Sequence, residues 1–564
     1  MSRWLKLKVE LVTPCFLAGS QGSDTTDKEL MQEGLRVPSL IGSWRSWLRA
    51  DLGARMPPNA MRRREDLLFV RRREDLLFGS QHRRDLFRHQ EGPGIQARLR
   101  VRISHTLTQN QIVSQGQKAG FGIPYDHFRA EGGSAVDSLG YLLGQGLYNF
   151  RDGTTRPAIK AGTSFEVEVT IGRTRDNKDN VTEAQLWADL RRTLWLWSNF
   201  GGVGSRSRRG WGSVQIMGIE NVEAIADAAE RQAWQEWFPS FETTTWNEQS
   251  RSGLLNRLAE MAGVSKENIT QSILYSGPET DLDNPQSCDT PQGETAFAHL
   301  RSFVAVVPIR TAHNETWAEA LADLANEMLA VRSNIDHKSE KVRSLPRLQD
   351  HDTVYQYTCG HTLDVAPYRA AFGLPHPYYF ASSEAKALFN TRTGRRASPV
   401  LLHVAKVPGD TANRPRYVGR AIWFKARLVP GDRQEIIEER DRNRVIPFRN
   451  DKWAVVRMFL KGMSRVNAGM APGSKPPLVP EPVVRAPEKP AAILPFTLRP
   501  GNRYDATLVR LENGEWGALI RSNPQPVPLV SKEPITLDEG HRIEVEYPKD
   551  AKEYKVRFKK PLRS

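Results

Sequence analysis

Apolar and charged residues alternate at the start of the chain. In residues 4–12, WLKLKVELV, the side chains of Leu5 and Leu7 fall on one face and those of Lys6 and Lys8 on the other. A period of two is typical of a strand that buries one face. The segment is therefore predicted to be a strand.

A helical period follows at residues 39–50. Leu40, Trp44, Trp47 and Leu48 recur at the spacing of one buried helix face. This pattern predicts an amphipathic helix.

The first third of the chain continues with three further elements. Residues 163–171 alternate as a strand, residues 184–199 have helical spacing, and residues 213–217 read as a short strand after a Gly/Arg-rich loop. The predicted elements follow the order strand, helix, strands, helix and strand, which is the split βαβ pattern of a ferredoxin-like module.

The octapeptide RRREDLLF occurs at 62–69 and again at 71–78. An offset of nine residues rotates the second copy by about 180° on a straight helix. Either the helix breaks near Val70, or one copy lies outside the core.

The middle of the chain predicts a second module with large insertions. Its helical and strand patterns lie at 253–262, 301–309, 316–331, 399–407, 420–428 and 452–463. Residues 472–495 contain eight prolines, which is typical of a semi-rigid linker.

The last part of the chain alternates without a helical stretch. Strand patterns at 503–509, 515–520, 541–547 and 553–558 predict a small β-domain or barrel. The expected fold class is α+β, with tandem ferredoxin-like (RRM-like) modules and an additional C-terminal small β-domain. The predicted parts are a first module at 1–220, a second module at 221–470, a linker at 471–495 and the β-domain at 496–564.

Positive charge is concentrated in the first module. The whole chain has a formal net charge of +15, and residues 1–217 hold 33 basic and 22 acidic residues. Residues 218–470 hold 31 of each. Localised positive charge rich in arginine favours a polyanionic partner, RNA or DNA first.

Composition also indicates the compartment. No stretch approaches the 18 apolar residues of a membrane span, and the first residues lack the apolar block of a signal peptide. The three cysteines, Cys15, Cys288 and Cys359, lie far apart and form no CxxC pair. We expect a soluble, cytoplasmic protein with no membrane association, no metal site and no cofactor.

The glycine-rich segment GGVGSRSRRGWGSV, at 201–214, is the strongest local signal. Five glycines allow close backbone approach to a ligand, arginines can fork onto phosphate oxygens, and an indole can stack on a base. GxxxxGK[ST] is absent, so phosphate binding here need not mean nucleotide hydrolysis. The candidate residues are Gly204, Arg206, Arg208, Arg209, Gly210 and Trp211.

A second candidate set lies in TPCFLAGSQG, 13–22, and RVPSLIGSWRSWLRA, 36–50. Thr13 and Ser39 are small donors, with Ser39 placed to cap the helix. Gly42 permits close approach near the first helical turn, and Arg45 and Arg49 are expected on the exposed face.

These motifs resemble the RAMP superfamily. The chain carries TPxFxxG, RxPSLxGxxRxWxRA, LFGS at 77–80 and the glycine-rich loop, and the match is closest to the Cmr subunit one family of type III-B CRISPR effectors. AFGLPHPYYF at 371–380 and GRRASPVLLHV at 394–404 resemble that family's second module.

The resemblance implies an RNA-binding subunit of a ribonucleoprotein. Its partners would be CRISPR RNA, target RNA and other RAMP subunits of the effector complex, near one end of the assembly. Arg395 and Arg396 match the RRxSP motif of the second module and join the candidate RNA-binding residues. The doubled octapeptide, residues 230–300 and the tail after 490 depart from the family pattern.

Two other functions stay open. RAMP proteins include endoribonucleases that process CRISPR RNA, which need a base and an acid around a 2′-OH. Candidate residues for such chemistry are His82, His89, His105, His127, Asp24 and Asp27. Because target cleavage in Cmr complexes is carried by another subunit, the resemblance argues against an enzyme, so no catalytic residue is assigned. The other alternative is a structural adaptor without direct RNA contact.

The pattern leads to one mechanistic hypothesis. The glycine-rich loop and the first helix would face each other across the first module and clamp the RNA backbone. Phosphate contacts of this kind position a strand without reading its sequence.

Overall fold

The structure is a computed structural model. It describes residues 4–17, 25–55, 64–80, 83–84, 91–92, 95–116, 138–144, 146–149, 152–172, 181–263, 300, 303–308, 315–333, 350–380, 385–392, 395–409, 414–425, 427–428, 434–439, 441–466, 503–511, 515–520, 527–531, 542–546 and 556–561. The chain divides into two compact units, Met1–Pro476 and Pro477–Ser564. The predicted linker at 471–495 lies outside the described residues.

The first module is built on a four-stranded antiparallel sheet. Its strands are β1 (Leu5–Leu11), β2 (Leu99–Ser104), β3 (Ser164–Ile171) and β4 (Val214–Glu220). Its helices are α1 (Asp27–Glu33), α2 (Val37–Ala54), α3 (Arg64–Phe78), α4 (Ser138–Leu143) and α5 (Glu183–Phe200). Two-residue strands pair Arg83–Arg84 with Glu91–Gly92, Ile112–Val113 with Ala158–Ile159 and Tyr148–Asn149 with Gly153–Thr154.

The strand order of this sheet is β4-β1-β3-β2. With α2 between β1 and β2 and α5 between β3 and β4, this is the ferredoxin-like arrangement. The prediction of an α+β fold is therefore confirmed.

The apolar and the charged side chains of β1 lie on opposite faces of the strand, as predicted. Leu5 and Leu7 are fully buried, whereas Lys6 and Lys8 lie on the other face and pair with Glu166 and Glu220. On the inner face α2 packs against α5, where the rings of Trp44 and Trp197 meet edge to face at 5.6 Å.

The doubled octapeptide forms one helix. α3 continues through Val70, which is buried, so a helix break at that position is wrong. The second copy packs inward with Leu77 and Phe78 buried. The side chains of the first copy lie outside the described residues.

The second module follows α6 (Ala228–Trp237) and α7 (Glu248–Ala262). A three-stranded antiparallel sheet contains β5 (Phe303–Val306), β8 (Val400–Val407) and β9 (Arg416–Phe424) in the order β5-β9-β8. A second antiparallel sheet has the order β6-β7-β10-β11, from β6 (His376–Phe380), β7 (Ala385–Asn390), β10 (Glu435–Glu438) and β11 (Asp441–Pro447). The helices are α8 (Trp317–Ser333), α9 (Asp350–Thr358) and α10 (Ala454–Val466).

The two modules dock along the outer edge of β8. The backbone N–H groups of Leu402, Val404 and Lys406 donate to Arg208 O, Ser213 Oγ and Gln215 Oε1 at 3.0, 3.0 and 2.9 Å. These acceptors belong to the glycine-rich loop and β4. Because an uncovered strand edge carries unsatisfied N–H groups, the first module stabilises the second at this edge.

His403 lies fully buried beside this docking edge. Its Nδ1 is 2.8 Å from Gly201 O, and Arg420 is its register partner on β9. Burial, followed by the charge of Arg420, lowers the pKa of His403 to about 3 from 6.5.

The stability of the N-terminal unit should therefore fall in acid. Below pH 6.5 the unfolded chain binds a proton at His403 that the folded chain does not, so each pH unit down to about 3 costs ~1.4 kcal/mol. We expect the melting temperature of His403→Gln to fall less steeply between pH 6.5 and 4.5 than that of the wild type. Parallel curves would contradict the assignment.

The C-terminal unit is a closed barrel. Its strands are β12 (Arg503–Arg510), β13 (Trp516–Ile520), β14 (Val527–Val530), β15 (Arg542–Glu546) and β16 (Val556–Pro561), in the order β12-β13-β14-β16-β15. A small apolar core fills it, formed by Ala506, Leu508, Ala518, Ile520, Ile543 and Val545. Across the described parts of the chain, no helix is both long and apolar enough to cross a membrane.

Candidate anion-binding site

Arginines from the two modules converge at the glycine-rich loop. Arg206 carries the only non-glycine left-handed backbone that the described part of this loop contains, with φ of 64°, and Arg209 N donates to its carbonyl at 2.7 Å. This tight turn directs successive arginines to different neighbours. Arg395 and Arg396 approach from the segment that precedes β8.

Backbone carbonyls hold the guanidinium groups in place. Arg206 Nε donates to Leu143 O at 2.6 Å and Arg209 to Leu142 O at 3.3 Å, both at the end of α4. Arg208 donates to Ser398 O at 2.9 Å, across the junction between the modules.

Arg396 is fixed by its backbone. It exchanges both hydrogen bonds with Leu374, at 2.7 and 2.9 Å, and its guanidinium donates to Arg427 O at 3.3 Å. The charged groups are thus preorganised by the fold.

The charges in this group repel one another. Burial, followed by the charges of Arg156 and Arg395, lowers the pKa of Arg206. Burial and then the charge of Arg208 lower the pKa of Arg396 to about 10. Burial alone lowers the pKa of Arg208 and of Arg156. We define the arginine cluster as Arg156, Arg206, Arg208, Arg209, Arg395 and Arg396.

An anion is the ligand that this arrangement favours. Partly desolvated like charges raise each other's energy, and a bound polyanion relieves that cost. Guanidinium groups also match phosphate oxygens in a two-point geometry.

Other predicted site residues have internal roles. Thr13 is fully buried; its hydroxyl donates to Gly210 O at 2.7 Å and accepts from Ser213 N at 2.8 Å. Its predicted RNA contact is wrong because no surface of Thr13 reaches solvent. It instead ties the end of β1 to the glycine-rich loop.

Trp211 is fully buried, so the predicted base stacking is also wrong. Its ring meets those of Phe16 and Trp317 edge to face at 5.5 and 6.0 Å. Trp317 begins α8, so the indole joins the core of the second module.

The loop glycines pack closely against other residues of the protein and not against a ligand surface. A Cβ on Gly204 would lie 2.6 Å from Phe16 O, and one on Gly210 would lie 2.6 Å from Leu321 Cδ1. Both residues have a left-handed backbone, with φ of +84° and +83°. Their predicted role at the ligand is therefore replaced by a packing role.

Arg45 and Arg49 form ion pairs with Glu74. Both donate to this nearly buried carboxylate, and Arg45 also donates to Phe78 O and Gly79 O at 3.0 and 2.8 Å. Hydrogen bonds from these arginines, acting against desolvation, lower the pKa of Glu74. Arg49 is exposed, as predicted, whereas Arg45 is half-buried, and the two arginines link α2 to α3 through Glu74.

Ser39 does not cap α2. The helix starts at Val37, its N-cap is Arg36 without a side-chain hydrogen bond, and Pro38 occupies the first turn. Ser39 is partly exposed and Gly42 is exposed with open space around it. Their RNA contact stays a prediction.

The start of the glycine-rich loop packs directly on α2, where Ser43 Oγ donates to Gly202 O at 2.8 Å. Arg45 and Arg49 nevertheless contact α3, whereas the loop arginines contact α4 and the second module. The hypothesis of a clamp between loop and helix is replaced by a cluster between modules. Sequence reasoning missed Arg156, which follows a two-residue strand without any motif.

The candidates for catalysis have local partners. Asp27 begins α1 and accepts from Ser114, and the ring of His105 packs against Phe165 at 4.5 Å. His82, His89, His127 and Asp24 lie outside the described residues. Within the described ranges, no group of three or more His, Cys, Asp or Glu is placed to hold a metal ion.

Comparisons with known proteins agree with the motif analysis. Residues 10–215 match the model of the RAMP superfamily, which confirms the predicted resemblance for this part of the chain. No curated protein matches the chain.

Solved structures also resemble it. Cmr1 from Pyrococcus furiosus (apo form) is 18% identical, with coverage of 75% of this chain and 87% of that chain and a TM-score of 0.35. A chain of the type III-B Cmr-beta complex bound to cognate target RNA is 11% identical, with coverage of 82% and 99% and a TM-score of 0.36.

Proposed function

We propose that this chain, whose residues 10–215 match the RAMP superfamily, is a non-catalytic RNA-binding subunit of a type III CRISPR ribonucleoprotein effector. It binds CRISPR RNA, target RNA or both, in the cytoplasm, beside other RAMP subunits.

The main support for this function is that the arginines of the glycine-rich loop and of the RRxSP motif lie together in the fold. Arg206, Arg208 and Arg209 lie in the first module, and Arg395 and Arg396 lie about 190 residues later, yet Arg208 donates to Ser398 O in the same segment as the second pair. Charges brought together from two modules favour one continuous polyanion over a small ligand.

The chemistry of the cluster favours binding over cleavage. General base catalysis needs a group that gives up its proton near pH 7. Arg396, whose pKa is about 10, stays protonated at that pH. The cluster therefore holds phosphates and positions a strand, while base pairing with the guide supplies sequence specificity.

Charge reversal at Arg208 and Arg396 should weaken RNA binding at least tenfold. Both residues are partly buried, so the substitutions remove two fixed charges and add two negative ones. Fluorescence anisotropy of a labelled single-stranded RNA with the full chain measures the affinity across salt concentrations. The slope of log affinity against log salt should become shallower by about two.

A matched control reverses Lys28 and Arg449, which are exposed and outside the cluster. Its affinity should equal that of the wild type, and circular dichroism should show all variants folded. Equal binding by the cluster variant would contradict the proposal. RNA binding by neither protein would favour the adaptor, and metal-independent cleavage of the labelled RNA would favour the endoribonuclease.

A further inference from the structure

The exposed face of β6 and the residue before it carries a stripe of apolar side chains. Tyr378 and Phe380 point into the core of the second module. Pro375, Pro377 and Tyr379 alternate with the inward positions and are exposed. The Tyr379 residue is 54% exposed, so one face of its ring is open to solvent. Exposed apolar groups that lie side by side are typical of an interaction site.

Lys386 stands beside the tyrosine ring. It is the register partner of Tyr379 on β7, it is exposed, and its Nζ lies 5.4 Å from the centroid of the ring. Residues directly opposite each other on neighbouring strands point to the same side of a sheet, so the ring and the ammonium group share one surface. A planar ring next to a cation can stack on a base while the cation contacts a phosphate.

The arginine cluster lies at the other end of the stripe. Leu374 and Arg396 exchange both backbone hydrogen bonds in an antiparallel bridge. The next opposed pair is therefore Pro375 and Arg395, and both residues are exposed. The charge of Arg395 also lowers the pKa of Arg206 in the glycine-rich loop, after the larger effect of burial. We define the β6 strip, which has a positive charge at each end, as Pro375, Pro377, Tyr379, Lys386 and Arg395.

The backbone of β6 is poorly suited to pairing with a further strand. β6 is the edge strand of its sheet. Leu388 N donates to Glu438 Oε1 at 3.4 Å and Leu388 O accepts from Glu439 N at 2.8 Å, so these backbone groups face away from β6. The register partner of Leu388, Pro377, therefore directs its own backbone to the outer edge of the sheet. Because proline has no N–H, Pro377 and Pro375 withhold donors that a partner strand would need, and this edge presents mainly side chains.

We propose that the β6 strip is a base-stacking platform for the single-stranded RNA whose phosphates the arginine cluster holds. A base stacks on the ring of Tyr379, the two prolines line the path to it, and Lys386 and Arg395 contact phosphates at the two ends. Positive charge at both ends favours a polyanion with flat apolar faces over an apolar peptide. This role rests on the RNA-binding function proposed above and adds to it a contact that any base can make.

Fluorescence anisotropy of labelled oligo(U) with the full chain tests the platform. Tyr379→Ala and Tyr379→Leu should each weaken binding at least about fivefold, because stacking needs an aromatic ring. Tyr379→Phe keeps the ring and should bind as tightly as the wild type. Val530→Ala changes an apolar residue of the barrel that is 47% exposed, and this matched control should also bind as the wild type does. Circular dichroism checks that all variants are folded.

Salt dependence and a probe without bases separate the ring from the cation. Lys386→Gln should make the slope of log affinity against log salt shallower by about one. Tyr379→Ala should leave this slope unchanged, because stacking releases no counterion. An abasic oligonucleotide of the same length offers phosphates without bases, so Tyr379→Ala should bind it as tightly as the wild type does.

The outcomes distinguish failure of the platform from failure of the proposed function. Weaker binding by Arg208→Glu/Arg396→Glu combined with wild-type affinity of Tyr379→Ala would overturn the platform alone and leave the strip to a protein partner. Equal weakening of oligo(U) and of the abasic probe by Tyr379→Ala would also contradict base stacking. A wild-type chain that binds no RNA would overturn both proposals.

Discussion

Replacing Trp211 by Ala should lower the free energy of unfolding of the N-terminal unit by about 3–5 kcal/mol. The indole is fully buried, and it contacts Phe16 in the first module and Trp317 in the second. Its removal leaves a cavity at the junction of the two modules, and the contacts that the indole made with both ring neighbours are lost.

Scanning calorimetry of the full chain measures this effect as a lower transition temperature. Tyr379→Ala is a matched control, because that ring is 54% exposed and its loss should cost less than about 0.5 kcal/mol. Trp211→Phe should recover part of the stability. An unchanged transition combined with weaker RNA binding would restore the base-stacking role that the sequence predicted for Trp211.

Replacing Asp189 by Ala should cost about 3–5 kcal/mol through a different mechanism. Asp189 is 1% exposed on α5 and accepts from Arg55 Nη1 at 2.7 Å and from Arg73 Nε at 3.0 Å, and Arg73 Nη2 lies 2.8 Å from the same carboxylate. Arg55 also donates to the buried Asp51, which accepts from Arg192 at 2.8 Å. Loss of Asp189 leaves Arg73 charged in a largely desolvated position between α3 and α5.

A double variant separates the ion pair from general core damage. Asp189→Leu/Arg73→Leu removes both partners and should be more stable than Asp189→Ala, because no unpaired charge stays buried. Asp364→Ala, at an exposed position, controls for the loss of a carboxylate. If Asp189→Ala melted at the same temperature as Asp364→Ala, the network would contribute nothing measurable.

The sequence motifs did not show which of their arginines would be paired with a carboxylate. Arg45 and Arg208 looked equivalent in the sequence, since both stand beside small residues in a family motif. The fold pairs Arg45 with Glu74, a residue of the doubled octapeptide, whereas Arg208 joins four motif arginines and Arg156. A carboxylate partner 29 residues away carries no local signal.

Short-range patterns by themselves determined the elements and the fold class. The alternation of β1, the stripe of Trp44 and Trp47 on α2 and the strands of the barrel follow from periods of two and 3.6, which any local window contains. The charge excess and the motifs also predicted a polyanion as the ligand.

Only the tertiary structure decided which of the predicted site residues are buried or held by other parts of the protein. Thr13 and Trp211 are fully buried, Arg45 and Arg49 form ion pairs with Glu74, and Arg396 lies near Arg208 of the other module. The physical reason is that burial and charge pairing depend on contacts between residues far apart in the chain, whereas periodicity reports only which face of its own element a side chain occupies.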